Sequence, residues 1–253
     1  MKLAYFFVFI LNSLISASVN ADSLPDIIEK IKGSVVAVGT FMPKRSPQSI
    51  FLGTGFAIGN GRLIVTNAHV LPKKIDHKNI EKIAIFVREN KKVAVLEVKA
   101  IATDKVHDIA ILQLVSGTLP ALKISKRAVR DGQSIVFTGY PIGMVLGLYP
   151  VTHKGIVSAV TPVALPAIRS RQINAQLLRR LRDPFEVYQL DATAYPGNSG
   201  SPVYNPETGH VIGIVNKVFV KESKENMLSK PSGITYAIPI RHLNDLLIKN
   251  NLM

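Results

Sequence analysis

Apolar residues along this chain fall into short runs, many of them β-branched or aromatic, each closed by glycine, proline, asparagine or a polar cluster. In "FLGTGFAIGNGRLIVTNAHV" two such runs flank GNG, a tight-hairpin signal. "KIAIFVRENKKVAVLEVKAIATD" alternates on both sides of the polar RENKK, which predicts two strands and a turn, and "DIAILQL" predicts another strand. "QSIVFTGYP", "VTHKGIVSAV", "EVYQLDA", "SPVYNPETGHVIGIVNKVFV" and "GITYAIP" continue the series. Many short strands with this punctuation predict an all-β chain, either a sandwich or a barrel.

Helical spacing is confined to three places. "DSLPDIIEKIKG" predicts a short helix from about Pro25 to Lys32, stopped at Gly33. "IRHLNDLLIKNNLM" places Leu243, Leu246, Leu247 and Met253 on one face of a closing helix. The third, Leu165 to Glu186, breaks the β rhythm with Arg169, Arg171, Arg179, Arg180 and Arg182, and is helix-compatible around Ala175 to Leu181. It reads either as a solvated surface insertion or as a lid or docking element.

The first 21 residues, "MKLAYFFVFILNSLISASVNA", combine one lysine, an apolar run and a small-residue end, the pattern of a secretory signal peptide cleaved after Ala21. A membrane anchor is the competing reading, but Asn12, Ser13 and Ser16 interrupt a run already short for a span. Export ordinarily permits disulfides, yet the chain has no cysteine, which excludes a cysteine nucleophile and a thiolate zinc site. The core must suffice alone, and a domain of roughly 200 residues buries about 70% of its unfolded surface.

Apolar residues make up 47% of the chain and charged residues 19%, a globular balance. The net charge of +14 favours anionic partners. Export and the lack of a groove-reading motif argue against nucleic acid, leaving an anionic envelope surface, acidic proteins or simple solubility.

In "AYPGNSGSPV", Ser199 is enclosed by Gly197 and Gly200. Glycine is favoured where φ is positive or where another group comes close to the main chain, and around a lone hydroxyl the second reason suggests a reacting group. A serine hydroxyl needs a base, and the base needs an orienting acid. His69 in "VTNAHV" stands where a β-branched run ends, and Asp108 in "HDIAIL" precedes an apolar strand. Singly, Ser199 suits a turn and Asp108 a cap. Jointly, the order His, Asp, Ser is that of chymotrypsin-like enzymes, and no glycine stands two residues after the serine as an α/β-hydrolase elbow requires.

His107 is a rival base, but a neighbour of Asp108 in an extended strand would point the opposite way. His77, His153, His210 and His242 show no metal-ligand spacing and read as surface or packing residues.

These segments together resemble the trypsin-like serine proteases, nearest to the HtrA/Deg branch, over almost all of residues 22–253. "GTGFAIGNGRLIVTNAHV" and "HDIAILQL" resemble the histidine and aspartate motifs of that family's first barrel. "VTHKGIVSAV", "QLDATAYPGNSGSPV", "HVIGIVN" and "GITYAIP" match its second barrel in order. The resemblance implies a chymotrypsin fold of two six-stranded antiparallel β-barrels, over about residues 33–125 and 130–240, with the active site between them. Ser199 would be nucleophile, His69 general base and then acid, and Asp108 the group that fixes the tautomer. The backbone N–H groups of Gly197 and Ser199 would form the oxyanion hole.

The implied function is an exported, periplasmic or secreted, serine endopeptidase that cleaves protein or peptide substrates through an acyl-enzyme and uses no cofactor or metal. A protease-fold binding or chaperone-like protein is the alternative, and a homo-oligomer is a state common in the branch. Asn198 replaces the aspartate of digestive trypsins, so no activation step through a new N-terminus is expected. Ser201 departs from the second glycine usual in the HtrA/Deg branch, and "GNSGSP" resembles bacterial glutamyl endopeptidases. By resemblance Thr193, Val215 and Asn216 would line the substrate pocket and favour a small or medium apolar side chain. The branch commonly appends a PDZ domain after the closing helix, and with the sequence ending at Met253 none is expected.

Overall fold

The computed structural model describes residues 22–89, 92–141, 148–162, 184–216 and 234–252. The expected signal peptide, the five arginines of the expected insertion and Met253 lie outside the described residues. The apolar runs form strands β1 (Val35–Phe41), β2 (Ser49–Ile58), β3 (Leu63–Asn67), β4 (Lys82–Glu89), β5 (Lys92–Asp104) and β6 (Ile109–Leu114). They hydrogen-bond in the antiparallel order β1-β2-β3-β6-β5-β4, and β4 pairs back onto β1 to close a barrel. The GNG and RENKK segments fall at the β2–β3 and β4–β5 reversals.

The second barrel contains β7 (Ser134–Gly139), β8 (Val151–Pro162), β9 (Glu186–Asp191), β10 (Pro202–Tyr204), β11 (Val211–Asn216) and β12 (Ile234–Pro239). Its order is β10-β11-β12-β9-β8-β7, closed by β7 against β10. The fold is therefore all-β with two closed six-stranded barrels and a C-terminal helix, as the resemblance implied. Closure pairs each of the described strands on both sides and leaves none of them as an open edge.

In the first barrel β1, β3, most of β6 and the second half of β2 are buried on both faces, because the two barrels share a seam there, whereas β5 is largely exposed. Val36, Val38, Ala57, Ile64, Ile85 and Leu112 form one cluster, and the alternate residues of the same strands face elsewhere. Val35, Ala37, Phe56 and Val65 join Val136, Tyr204, Ile214 and Ile238 of the second barrel. Helix α1 (Leu24–Lys32) adds Ile27 and Ile31 to this seam, and helix α2 (Arg241–Lys249) adds Leu243, Leu246 and Leu247. The connection between barrels is pinned to both: Leu122 N–H donates to Ala57 at 2.8 Å and Val211 N–H donates to Lys123 at 2.8 Å. The connection therefore ties the two barrels together.

Candidate active site

β3 ends at Asn67 and passes into a 3₁₀ turn, Ala68–Val70, that carries His69. Asp108 closes the turn between β5 and β6 with φ of +57°, a left-handed conformation that aspartate tolerates better than most side chains. That conformation is held from β3, because Asn67 Nδ2 and Ala68 N–H both donate to the Asp108 carbonyl, at 3.0 and 3.1 Å.

The Asp108 carboxylate then faces His69. One oxygen accepts from His69 N–H at 2.9 Å, and the other lies 2.6 Å from His69 Nδ1. Asn216 Nδ2, from the end of β11, donates to that second oxygen at 2.8 Å. The Asp108 side chain is only 12% exposed and that of His69 33%, so the carboxylate is shielded while the imidazole reaches solvent. A carboxylate is an acceptor, so Nδ1 carries the proton in neutral His69 and Nε2 is left as a lone-pair base.

Ser199 follows a turn that its glycines make possible. Asn198 N–H donates to Tyr195 at 3.0 Å, closing Tyr195–Asn198 as a turn with Pro196 and Gly197 at its centre. Gly197 has φ of +101°, the type II form, in which the third residue must take positive φ. Ser201 N–H donates to the Asn198 carbonyl at 3.0 Å, which orients the Asn198–Ser199 peptide. Neither Gly197 N–H nor Ser199 N–H donates to any acceptor among the described residues. Gly200 has φ of +88°, and a Cβ there would fall 2.1 Å from the Thr54 carbonyl oxygen.

The seam places Ser199 next to the His69 turn. Thr54 N–H donates to the Ser199 carbonyl at 2.8 Å, and a Cβ on the adjoining Gly53 would lie 2.7 Å from Val70 Cγ2 and 2.9 Å from that carbonyl oxygen. Glycine at 53 thus lets the His69 turn and the Ser199 loop approach each other. Among the described residues no hydrogen bond joins the Ser199 hydroxyl to His69, and such bonds are often long before substrate binds.

Other expected residues take different places. Val215, expected to line a substrate pocket, has no exposed surface and packs in the second barrel's core with Phe137, Leu190 and Ala237. Asn216, also fully buried, bonds Asp108 instead, and Thr193 is half-buried. Alternation along β11 divides the pair, one side chain inward and the next toward the first barrel. Asn198 is fully buried, and neither atom of its side-chain amide has a hydrogen-bond partner among the described residues.

His107 does point away from His69, but not by strand alternation, since residues 105–108 form a turn. Its Nδ1 lies 2.6 Å from Asp104, and its ring stacks on His242 with centroids 3.8 Å apart. His153 stacks on Phe137 at 4.7 Å, and burial lowers its pKa. His77 is exposed and His210 half-buried, and no group of metal-binding side chains occurs among the described residues.

Sequence reasoning passed over Thr54. It carried the signal read at Ser199, a hydroxyl between small residues, since Gly53 and Gly55 flank it. Its hydroxyl donates to the Gly197 carbonyl at 2.7 Å and accepts from Tyr140 N–H at 3.0 Å.

Two closed barrels with a histidine–aspartate pair on one and a glycine-flanked serine on the other have the architecture of trypsin-like peptidases. The model of the trypsin-like peptidase domain matches residues 53–214, and the chain belongs to that family. A protein of Halomonas elongata named as a probable periplasmic serine endoprotease DegP-like is 29% identical over 222 residues, covering 86% of this chain and 40% of that protein. Serine protease HTRA1A of Danio rerio is 28% identical over 232 residues, covering 90% and 41%. The chain thus spans about two fifths of these relatives. Among solved structures, the active form of the Rv3671c protease from M. tuberculosis has a TM-score of 0.64 at 20% identity, covering 90% of this chain and 85% of that one, a likeness of fold.

Proposed function

We propose that this chain is a serine endopeptidase in which Ser199 is the nucleophile, His69 the general base and Asp108 the group that orients it. The bond network around Asp108 carries the reading: His69 Nδ1 at 2.6 Å, His69 N–H at 2.9 Å and Asn216 at 2.8 Å fix an imidazole whose Nε2 is free to take a proton. As Ser199 Oγ attacks a peptide carbonyl, its proton passes to Nε2 and the imidazolium rests against Asp108. The N–H groups of Gly197 and Ser199, unpaired among the described residues, are the donors for the oxyanion, a contribution on the order of 10²–10³ in rate per donor. Nε2 returns the proton to the leaving amine, and water repeats the sequence on the acyl-enzyme.

Export to the periplasm or beyond is supported by the leader-like first 21 residues and by the names of relatives such as the Halomonas elongata protein. Protein or peptide substrates follow from the same kinship. An anionic envelope surface remains a proposed partner of the arginine-rich segment, and self-association a proposed state.

A second reading, a client-binding protein with little turnover, is favoured by one observation, the missing hydrogen bond between the Ser199 hydroxyl and His69. Labelling the mature protein with a fluorophosphonate, beside Ser199→Ala and His69→Ala, decides between them. Labelling abolished in Ser199→Ala and strongly reduced in His69→Ala is expected. A folded wild type that stays unlabelled overturns the hydrolase in favour of the binding protein.

A further inference from the structure

We propose that Thr54 is a positioning residue that holds the oxyanion-binding turn in its type II form from across the barrel seam, an inference that rests on the hydrolase reading above. Each polar atom of Thr54 is engaged. Its N–H donates to the Ser199 carbonyl at 2.8 Å and its hydroxyl to the Gly197 carbonyl at 2.7 Å. The hydroxyl oxygen accepts from Tyr140 N–H at 3.0 Å, and the Thr54 carbonyl accepts from the Thr66 hydroxyl at 2.7 Å. A hydroxyl has one proton, and the Tyr140 N–H occupies a lone pair, so that proton is directed to Gly197. Thr54 itself is fully buried.

This grip falls on the segment with the most freedom to fail. In the Tyr195–Asn198 turn the central peptide, Pro196–Gly197, bears the Gly197 N–H. Types I and II of such a turn differ by reversal of that peptide, which reverses the direction of the N–H. Gly197, having no Cβ, permits both forms, and its φ of +101° is the type II value. The next peptide is held at both ends, its Asn198 N–H by Tyr195 at 3.0 Å and its Gly197 carbonyl by Thr54. Loss of the hydroxyl would leave the Gly197 carbonyl without that partner and release the restraint against turn reversal. Tyr140 stiffens the arrangement, since its own hydroxyl donates to the Val35 carbonyl at 3.2 Å and returns the chain of bonds to the first barrel.

The test compares Thr54→Val, near in shape but without the hydroxyl, with Thr54→Ser, which restores it. Thr54→Val is expected to lower kcat for a peptide amide about 10²-fold with little change in KM, the signature of a lost transition-state contact. Affinity for a peptidyl boronate, which forms a tetrahedral adduct on the serine, should fall by a similar factor, and Thr54→Ser should recover most of both. If Thr54→Val does not accumulate folded, Thr54→Ala serves in its place, with thermal unfolding measured on all variants. Unchanged kcat and boronate affinity in the hydroxyl-free variant overturn the inference, as does a loss that Thr54→Ser fails to reverse. A wild type that reacts with neither fluorophosphonate nor boronate overturns the hydrolase reading and this inference together, whereas a reactive wild type with an equally reactive Thr54→Val overturns this inference alone.

Discussion

Asn216 Nδ2 donates to Asp108 Oδ2 at 2.8 Å, so the carboxylate that faces His69 on the first barrel is also held by the last residue of β11 on the second. The bond joins the two barrels and makes the orientation of His69 depend on how they seat. Asn216→Ala is expected to lower kcat/KM about tenfold, because a hydrogen bond to a charged group is worth about 1.5–3 kcal/mol and part of that loss reaches the transition state. Peptide kinetics on the purified variant would measure it, and unchanged kcat/KM would show that the two His69 contacts suffice.

Asp108→Asn tests the carboxylate directly. Its two oxygens accept from His69 N–H, His69 Nδ1 and Asn216 Nδ2, and an amide has only one oxygen to offer. Whichever way it turns, an NH₂ group meets a donor, and an NH₂ beside Nδ1 favours the tautomer with its proton on Nε2. A fall in kcat on the order of 10⁴-fold is expected, with the fold retained. Near-normal kcat in this variant would remove Asp108 from the proposed mechanism.

How much of this was legible in the sequence depended on range. Strand alternation and turn residues exposed most of the strands, because those signals act over a few residues, whereas their number and closure into two barrels came from the resemblance. His69, Asp108 and Ser199 were legible because their neighbours had to be special. What stayed hidden was decided by partners far along the chain. Asn216 and Val215 differ only in which way β11 turns them, and the partner of Asn216 is 108 residues away. Thr54 advertised itself by flanking glycines, but its partners Tyr140 and Gly197 belong to the other barrel. The left-handed turn at Asp108 had no glycine to announce it.

Gly53 is expected to tolerate no side chain without loss of activity. A Cβ would come within 2.7 Å of Val70 Cγ2 and 2.9 Å of the Ser199 carbonyl oxygen, the first beside His69 and the second on the nucleophile's own residue. Relief requires the two to separate, and misplacement by about 1 Å can cost on the order of 10²-fold in rate. Gly53→Ala should therefore lose kcat well beyond any loss of thermal stability, measured by peptide hydrolysis and thermal unfolding side by side. Equal kcat would mean that the seam yields elsewhere.

Stability is expected to weaken in acid through His242, on α2. Burial lowers its pKa to about 4; the nearby charges of His107 and Arg241 act in the same direction and Asp104 opposes them. Its ring lies flat on His107, which is itself bonded to Asp104, and Phe185 packs edge-on against both rings. Arg241 in turn bonds Glu186 at 2.9 Å. The unfolded histidine titrates near 6.5. Between those values the unfolded chain binds a proton that the folded chain refuses, so stability is complete above about pH 6.5 and declines as pH falls toward 4, by about 3 kcal/mol in all. His242→Phe keeps a ring against His107 and Phe185 and should flatten most of that decline, with a remainder from His153, whose pKa burial also lowers. Urea unfolding of both proteins at pH 7, 5.5 and 4 would read the difference. A decline as steep in His242→Phe as in the wild type would assign the acid sensitivity to other groups.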